Sequence, residues 1–198
     1  MKLEHSVMLV VDLQVDFCPG GSLAVTGGNE IIPLINRYIK QFVSQGVPVI
    51  ASRDWHPPVS DHFSQYGGQW PVHCVQMSAG AEFHPDLQLP DNVIVVSKGS
   101  DPHRDDYSAM QALLPSGTSL AEHLNATGVT HLYACGLATD YCVKWTVLDA
   151  LRAGFEVTLL TDAIKGVQRS PGDSERALDE MKAAGANLAN LEQIILQV

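Results

Sequence analysis

Cys142 lies in the run GLATDYCVKW, and Asp140 two residues before it is placed to cap a helix. A cysteine in the first turn of a helix faces free backbone N–H groups and the positive end of the dipole, which favour a thiolate. The same N–H groups can hold a developing oxyanion. Lys98 follows the apolar run VIVVS, and Asp12 interrupts the run VMLVVDL. Beside a cysteine, a lysine lowers the thiol pKa and steadies an anionic intermediate. An aspartate in the same place can take the thiol proton and pass it to a leaving group. Each residue alone has a plainer reading: a small buried hydrophobe, a surface lysine, a turn or cap aspartate. What favours chemistry is that all three fall just past strand ends.

A second group comes from SRDWHPPVSDHF and WPVHC. Asp54 and His56 alternate in an extended segment, and His62 and His73 follow. Imidazole with carboxylate suits zinc, manganese or Fe(II), and two histidines with one carboxylate leave positions open for a ligand. The plain alternative is exposed loop histidines. Asp101, His103, Asp105 and Asp106 read as a solvated loop rather than a second metal site. Cys18 and Cys74 read as bystanders and Cys135 as a core residue. Phe17, Trp70 and Tyr107 are packing residues or an aromatic wall for a flat ligand.

The elements that must position these groups alternate strand and helix. Strands are expected at 7–13, 47–52, 93–97, 130–135 and 157–161, and helices at 30–45, 119–126, 140–153 and 174–184. A last short strand or helix follows. Glycines at 46, 154 and 185 stop helices. The alternation predicts an α/β fold: one domain over 1–198, three layers α/β/α, with a mostly parallel sheet. Strands apolar on both faces agree with helices covering both sides. Such sheets bind ligands outside the carboxyl ends of their strands, which is where Asp12, Asp54, Lys98 and Cys142 fall. The stretch 54–91 breaks the alternation, and irregular loops of that length are usually functional.

Composition narrows the partners. The 198 residues are 45% hydrophobic, enough for a sizeable core without disulfides. A formal charge of −10, with the 12 basic residues scattered, argues against nucleic acid. No apolar stretch approaches a membrane span, and Glu4, His5 and Asp12 spoil the N-terminal run as a signal peptide. The expectation is a cytoplasmic protein whose four cysteines are reduced thiols, with no C-x-x-C pair among them.

Five segments in order, VVDLQVDFCPGGSLAV, SRDWHPPVSDHF, WPVHCV, SKGSDPHRDDYSA and GLATDYCV, resemble the nicotinamidase branch of the isochorismatase-like cysteine hydrolases. They are spread over 10–143. The resemblance implies a triad of Asp12, Lys98 and Cys142. It implies one divalent metal, zinc, iron or manganese, held by Asp54, His56 and His73, with His62 matching a ligand that only some members use. It implies a cis peptide at Leu137–Ala138 and an oxyanion hole from the backbone N–H groups of Ala138 and Cys142. Phe17, Trp70 and Tyr107 match pocket positions, and Leu137 joins them; Tyr141 falls where members vary. The implied reaction is hydrolysis of nicotinamide to nicotinate and ammonia through a cysteine thioester, a step of NAD salvage, with pyrazinamide as a second substrate. The expected partner is this small amide, without nucleic acid or membrane, in a homo-oligomer. Rivals are an N-carbamoyl amidohydrolase of the same fold, which the metal loop disfavours, a metal-hydroxide enzyme, and a non-catalytic ligand-binding member.

Overall fold

The computed structural model describes residues 3–195. Six strands form one sheet: β1 (Ser6–Val11), β2 (Val49–Asp54), β3 (Ile94–Lys98), β4 (His131–Leu137), β5 (Glu156–Lys165) and β6 (Asn187–Ala189). Their order is β3-β2-β1-β4-β5-β6, and every neighbouring pair is parallel. The chain builds outward from β1 in one direction and from β4 in the other. A crevice therefore opens above the carboxyl ends of these two central strands.

Side chains alternate across the sheet, so each face carries its own core. Met8 and Val10 face α1 (Ile32–Ser44), whose Ile35, Tyr38, Ile39 and Phe42 are buried against them, and α5 (Leu191–Ile195) packs on the same side. Val7, Leu9 and Val11 face α2 (Leu120–Ala126), α3 (Lys144–Arg152) and α4 (Asp173–Ala183). The result is the three-layer α/β/α arrangement. No helix among the described residues is long and apolar enough to cross a membrane.

The element ends carry the informative differences from the sequence expectations. β1 stops at Val11 because Asp12 turns to φ 46° and leaves the ladder. β5 runs on to Lys165, with a register shift against β4 between Ala134 and Gly136. The helix expected at 30–45 begins as a 3-10 turn, Gly28–Ile31, and becomes α-helical with Pro33 in its first turn, where a missing N–H costs nothing. Ser119 and Glu122 close a capping box on α2. The C-terminal element is both a strand, β6, and a helix, α5. Between Asp54 and Ile94 the only helical pieces among the described residues are the 3-10 turns Ser64–Tyr66 and Ala79–Ala81.

Gly136 shows how tightly the central strands meet. It has φ 113°, and a Cβ there would lie 2.1 Å from the Val11 carbonyl oxygen. Gly46, at φ 74°, has open space around it. Gly46→Ala is expected to cost about 1 kcal/mol, from the left-handed conformation alone. Gly136→Ala adds a backbone collision, and the expected loss is about 3 kcal/mol. Urea denaturation of the two variants measures the difference; equal losses would mean that the β1–β4 approach is not sterically limiting.

Candidate active site

The ends of β1, β2 and β3 deliver Asp12, Asp54 and Lys98 to one point, and the turn after β4 delivers Cys142. Lys98 Nζ lies 2.8 Å from Asp12 Oδ2 and 3.4 Å from Cys142 Sγ, and it also pairs closely with Asp54 Oδ1. All four residues are buried. Ser52 Oγ donates to Asp12 Oδ1 at 2.6 Å, which fixes the carboxylate with its other oxygen toward the lysine. The sequence puts Asp54 at the same sheet edge as the other three but gives it a metal-binding role only; its contact with Lys98 joins the two groups.

The electrostatics follow from one ammonium serving two carboxylates in a dry site. Burial opposes charge on Lys98, but Asp12 and Asp54 overcome it and hold the ammonium well above its usual pKa. Burial would raise Asp54, yet the Lys98 ammonium overcomes it, with His56 and His73 nearby, and holds the carboxyl well below the carboxylate range. Asp12 keeps a raised pKa because burial outweighs its share of Lys98. Burial also pushes the Cys142 thiol well up; Lys98 pulls it down, and the two carboxylates push it up again. Burial and the carboxylates thus oppose the thiolate that the lysine and the helix start favour. The sequence showed the lysine and the helix start but not the full burial or the second carboxylate.

A correction concerns Asp140. Cys142 sits in a single π-helical turn, Thr139–Val143, that runs into α3. The residue before this turn is Ala138, whose carbonyl accepts from the N–H groups of Tyr141 and Val143 at 3.0 and 3.1 Å. Asp140 does not cap the turn. Its carboxylate accepts from the backbone N–H groups of Val167 and Gln168, each at 2.8 Å, and so ties the cysteine turn to the loop after β5. The peptide Leu137–Ala138 is cis, and both Ala138 and Cys142 line the pocket.

The histidines show a consistent pattern. His56 Nδ1 faces the Gly99 carbonyl at 3.0 Å, His73 Nδ1 faces the Pro71 carbonyl at 2.7 Å, and His62 Nδ1 faces the Asp105 carboxylate. These acceptors require a proton on Nδ1, which leaves each Nε2 as a free lone pair. Nε2 of His56 and of His73 stand 3.7 and 3.8 Å from Asp54 Oδ2. One ring nitrogen from each of the three histidines lies within 4.8 Å of the others. His56 Nε2 is buried without a hydrogen-bond partner. Neutral imidazoles oriented from behind, a carboxylate oxygen and an unpaired buried nitrogen fit a divalent cation. Gly99 is part of the cradle: a Cβ there would lie 2.5 Å from His56 Cε1.

Phe17, Trp70, Tyr107 and Leu137 all line the pocket beside Cys142, with Leu23, Asp106, Tyr141 and Val167 added by the structure. Trp70 Nε1 donates to the Tyr107 hydroxyl at 2.8 Å, and Tyr141 meets Trp70 edge-on at 4.9 Å between centroids. The acidic loop divides. Asp105 orients His62, and Asp106 lines the pocket, so these two are not mere solvated residues. His103 pairs with Asp61 at the surface. Cys18, Cys74 and Cys135 are buried free thiols, and burial raises each pKa. A roomier cleft of about 730 Å³ opens at the opposite, amino ends of β1 and β2 and contains none of these groups.

Comparison with known proteins agrees with this geometry. The isochorismatase domain family matches residues 6–193. The nicotinamidase of Escherichia coli (strain K12) is 45% identical over 203 residues, which cover 93% of this chain and 94% of that one. The pyrazinamidase of Pyrococcus horikoshii, solved in complex with zinc, superimposes with a TM-score of 0.86 at 46% identity, over 94% of this chain and 99% of that one. PnC1 from L. infantum, solved in complex with nicotinate, has a TM-score of 0.81 at 38% identity, over 93% and 92%. A family match along almost the whole described chain, with relatives this similar over the same span, decides the assignment: this chain belongs to the isochorismatase family.

Proposed function

We propose that this protein hydrolyses nicotinamide to nicotinate and ammonia through a thioester on Cys142. The observation that carries this reading is the placement of Lys98 Nζ, 2.8 Å from Asp12 and 3.4 Å from Cys142 Sγ, where Cys142 lines an aromatic-walled pocket. Relatives named as nicotinamidases, and a neighbour that holds nicotinate, support the substrate.

Asp12 takes the proton from Cys142 Sγ as sulfur attacks the carboxamide carbon. A raised carboxyl pKa makes Asp12 a stronger base than an ordinary aspartate, which suits a thiol that is itself raised. The backbone N–H groups of Ala138 and Cys142 receive the oxyanion. Asp12 then protonates the amine nitrogen, the C–N bond breaks, and ammonia leaves a thioester. Water gives a proton to Asp12 and attacks the thioester carbon. The C–S bond breaks, the thiol regains its proton from Asp12, and nicotinic acid departs, giving its carboxyl proton to solvent as nicotinate. Lys98 keeps its charge throughout and offsets each anion in turn.

Asp54, His56 and His73, with His62, would hold a divalent cation, zinc, iron or manganese; the chemistry it supplies when bound is a Lewis-acid partner for the pyridine nitrogen meta to the carboxamide. Phe17, Trp70, Tyr107 and Leu137 clamp the flat ring and shed water. Pyrazinamide keeps that nitrogen and is read as a second substrate. The wider setting proposed is cytoplasmic NAD salvage by a single-domain protein that forms a homo-oligomer; buried free thiols suit a reducing compartment.

Ammonia release from nicotinamide tests the reading directly. Cys142→Ala is expected to lower kcat by about 10⁴-fold or more while the melting temperature stays close to wild type. Asp12→Asn, which keeps the shape but cannot move protons, should lose acylation to a similar degree while still binding nicotinate. Near-normal turnover in Cys142→Ala would rule out covalent catalysis. A second test compares nicotinamide with benzamide, nearly the same shape without the ring nitrogen. Benzamide should be turned over far more slowly, and chelation or His56→Ala should impair nicotinamide more than benzamide. Equal turnover of the two amides by metal-loaded protein would remove the cation from ring recognition.

A further inference from the structure

We propose that Gln14 is the positioning residue that sets Asp54 for metal binding, by supplying with its side chain the strand partner that β1 no longer provides. The argument begins with the sheet. β1 and β2 pair in register only through Val10 and Ala51, and Asp12 N adds one last bond to the Ser52 carbonyl at 3.2 Å. Beyond Ser52, β1 has turned away at Asp12, while β2 continues to Asp54. The backbone of Asp54 would then have a buried N–H and C=O without partners, which is costly in a dry interior.

The Gln14 amide satisfies both. Asp54 N donates to Gln14 Oε1 at 2.8 Å, and Gln14 Nε2 donates to the Asp54 carbonyl at 2.8 Å. The second N–H of the same amide donates to the Ala81 carbonyl, also at 2.8 Å. Every hydrogen-bonding site used is one that only an amide offers in this arrangement, two donors and one acceptor. Gln14 is fully buried, so none of these bonds competes with water. One side chain thereby joins three segments: the turn after catalytic Asp12, the last residue of β2, and the return of the long loop. The backbone of 14–15 reinforces the last link, since Val15 N donates to the Glu82 carbonyl at 2.9 Å.

Asp54 needs this clamp because its two carboxylate oxygens face different partners. Oδ1 pairs with Lys98, and Oδ2 stands 3.7 and 3.8 Å from the ring nitrogens of His56 and His73. A shift of the Asp54 backbone moves both oxygens at once. A ligand that loses its outer partner typically loses 10–100-fold in metal affinity. The inference rests on the metal reading given above, and its test separates the two.

The test measures zinc affinity by chelator competition on wild-type protein and on Gln14→Met, which keeps the volume and removes the amide. Tyr38→Phe serves as a control: it removes the part-buried 2.7 Å bond to Asp162 between α1 and β5, on elements that carry none of the histidines. The expected result is a Kd for zinc at least about tenfold weaker in Gln14→Met. Tyr38→Phe should bind zinc within twofold of wild type, even where the two variants lose similar thermal stability. With zinc saturating, Gln14→Met should recover more of its KM for nicotinamide than of its kcat, since Lys98 is disturbed as well. Gln14→Asn, which keeps the amide but is one methylene short, must show the same weakening and covers the case in which Gln14→Met does not fold. Zinc binding within twofold of wild type in the Gln14 variants, or equal weakening in Tyr38→Phe, overturns the inference. Wild-type protein that takes up no zinc would instead overturn the metal reading, and this inference with it.

Discussion

The site depends on one buried ammonium shared by two carboxylates and a thiol. An unpaired Lys98 in a site this dry would be strongly unfavourable, so Asp12 and Asp54 are required for its charge to persist. The converse also holds: two carboxylates this close in a dry site tolerate their charge only around a cation. One positive group cannot fully satisfy both. The partner that gains less, Asp12, keeps a raised carboxyl pKa, and burial with the two carboxylates pushes the Cys142 thiol up as well. That asymmetry suits a cysteine activated by a neighbouring base at the moment of attack rather than one stored as thiolate.

Holding four polar groups together in a dry spot requires backbone that does not move, and the sheet supplies it. Asp54 and Lys98 are terminal strand residues opposite each other in the β2–β3 register. Asp12 follows β1, and the cis peptide and π-turn after β4 bring Cys142 to the same edge. Each central strand contributes one group, which is what the strand order with its reversal between β1 and β4 makes possible. Gly136 lets β4 approach β1 closely enough for this, and Gly99 does the same for the histidine cradle.

Much of this was legible in the sequence, for a physical reason. Apolar runs that end abruptly in Asp12 and Lys98 mark both a strand and the point where it meets solvent or substrate, so fold and site were encoded by the same residues. The paired segments DWH and WPVHC likewise carried by residue type the imidazoles and carboxylate that the structure brings together. What escaped were properties of three-dimensional context. Asp140 stands at an ordinary cap position, but its carboxylate is drawn to the N–H groups of Val167 and Gln168, far along the chain. Asp105 looked solvated because its partner, His62, lies in another loop. Gln14 and Ser52 carry no chemical signature at all; only the strand ends, once placed, show which backbone and carboxylate atoms they satisfy. The upward push on the Cys142 thiol could not be read either, since it turns on burial and on how many carboxylates share the lysine.

The join at Asp54 has a consequence for how the site divides its labour. The long loop contributes the histidines and Trp70, which would hold the ring, while the strand ends contribute the groups that would break the amide. In many sites such halves can vary separately. Here Asp54 belongs to both, with one oxygen turned to Lys98 and the other to His56 and His73. Its charge is therefore a shared quantity. A change that draws the carboxylate toward the histidines weakens its hold on Lys98, and a change that strengthens the lysine pair weakens the ligand set. In the proposed reaction, recognition of the ring and activation of the cysteine are thus coupled through a single side chain over a few ångströms. The coupling gives a reason for the backbone of that residue to be fixed by hydrogen bonds: the shared carboxylate cannot drift without disturbing both its lysine and its histidine partners.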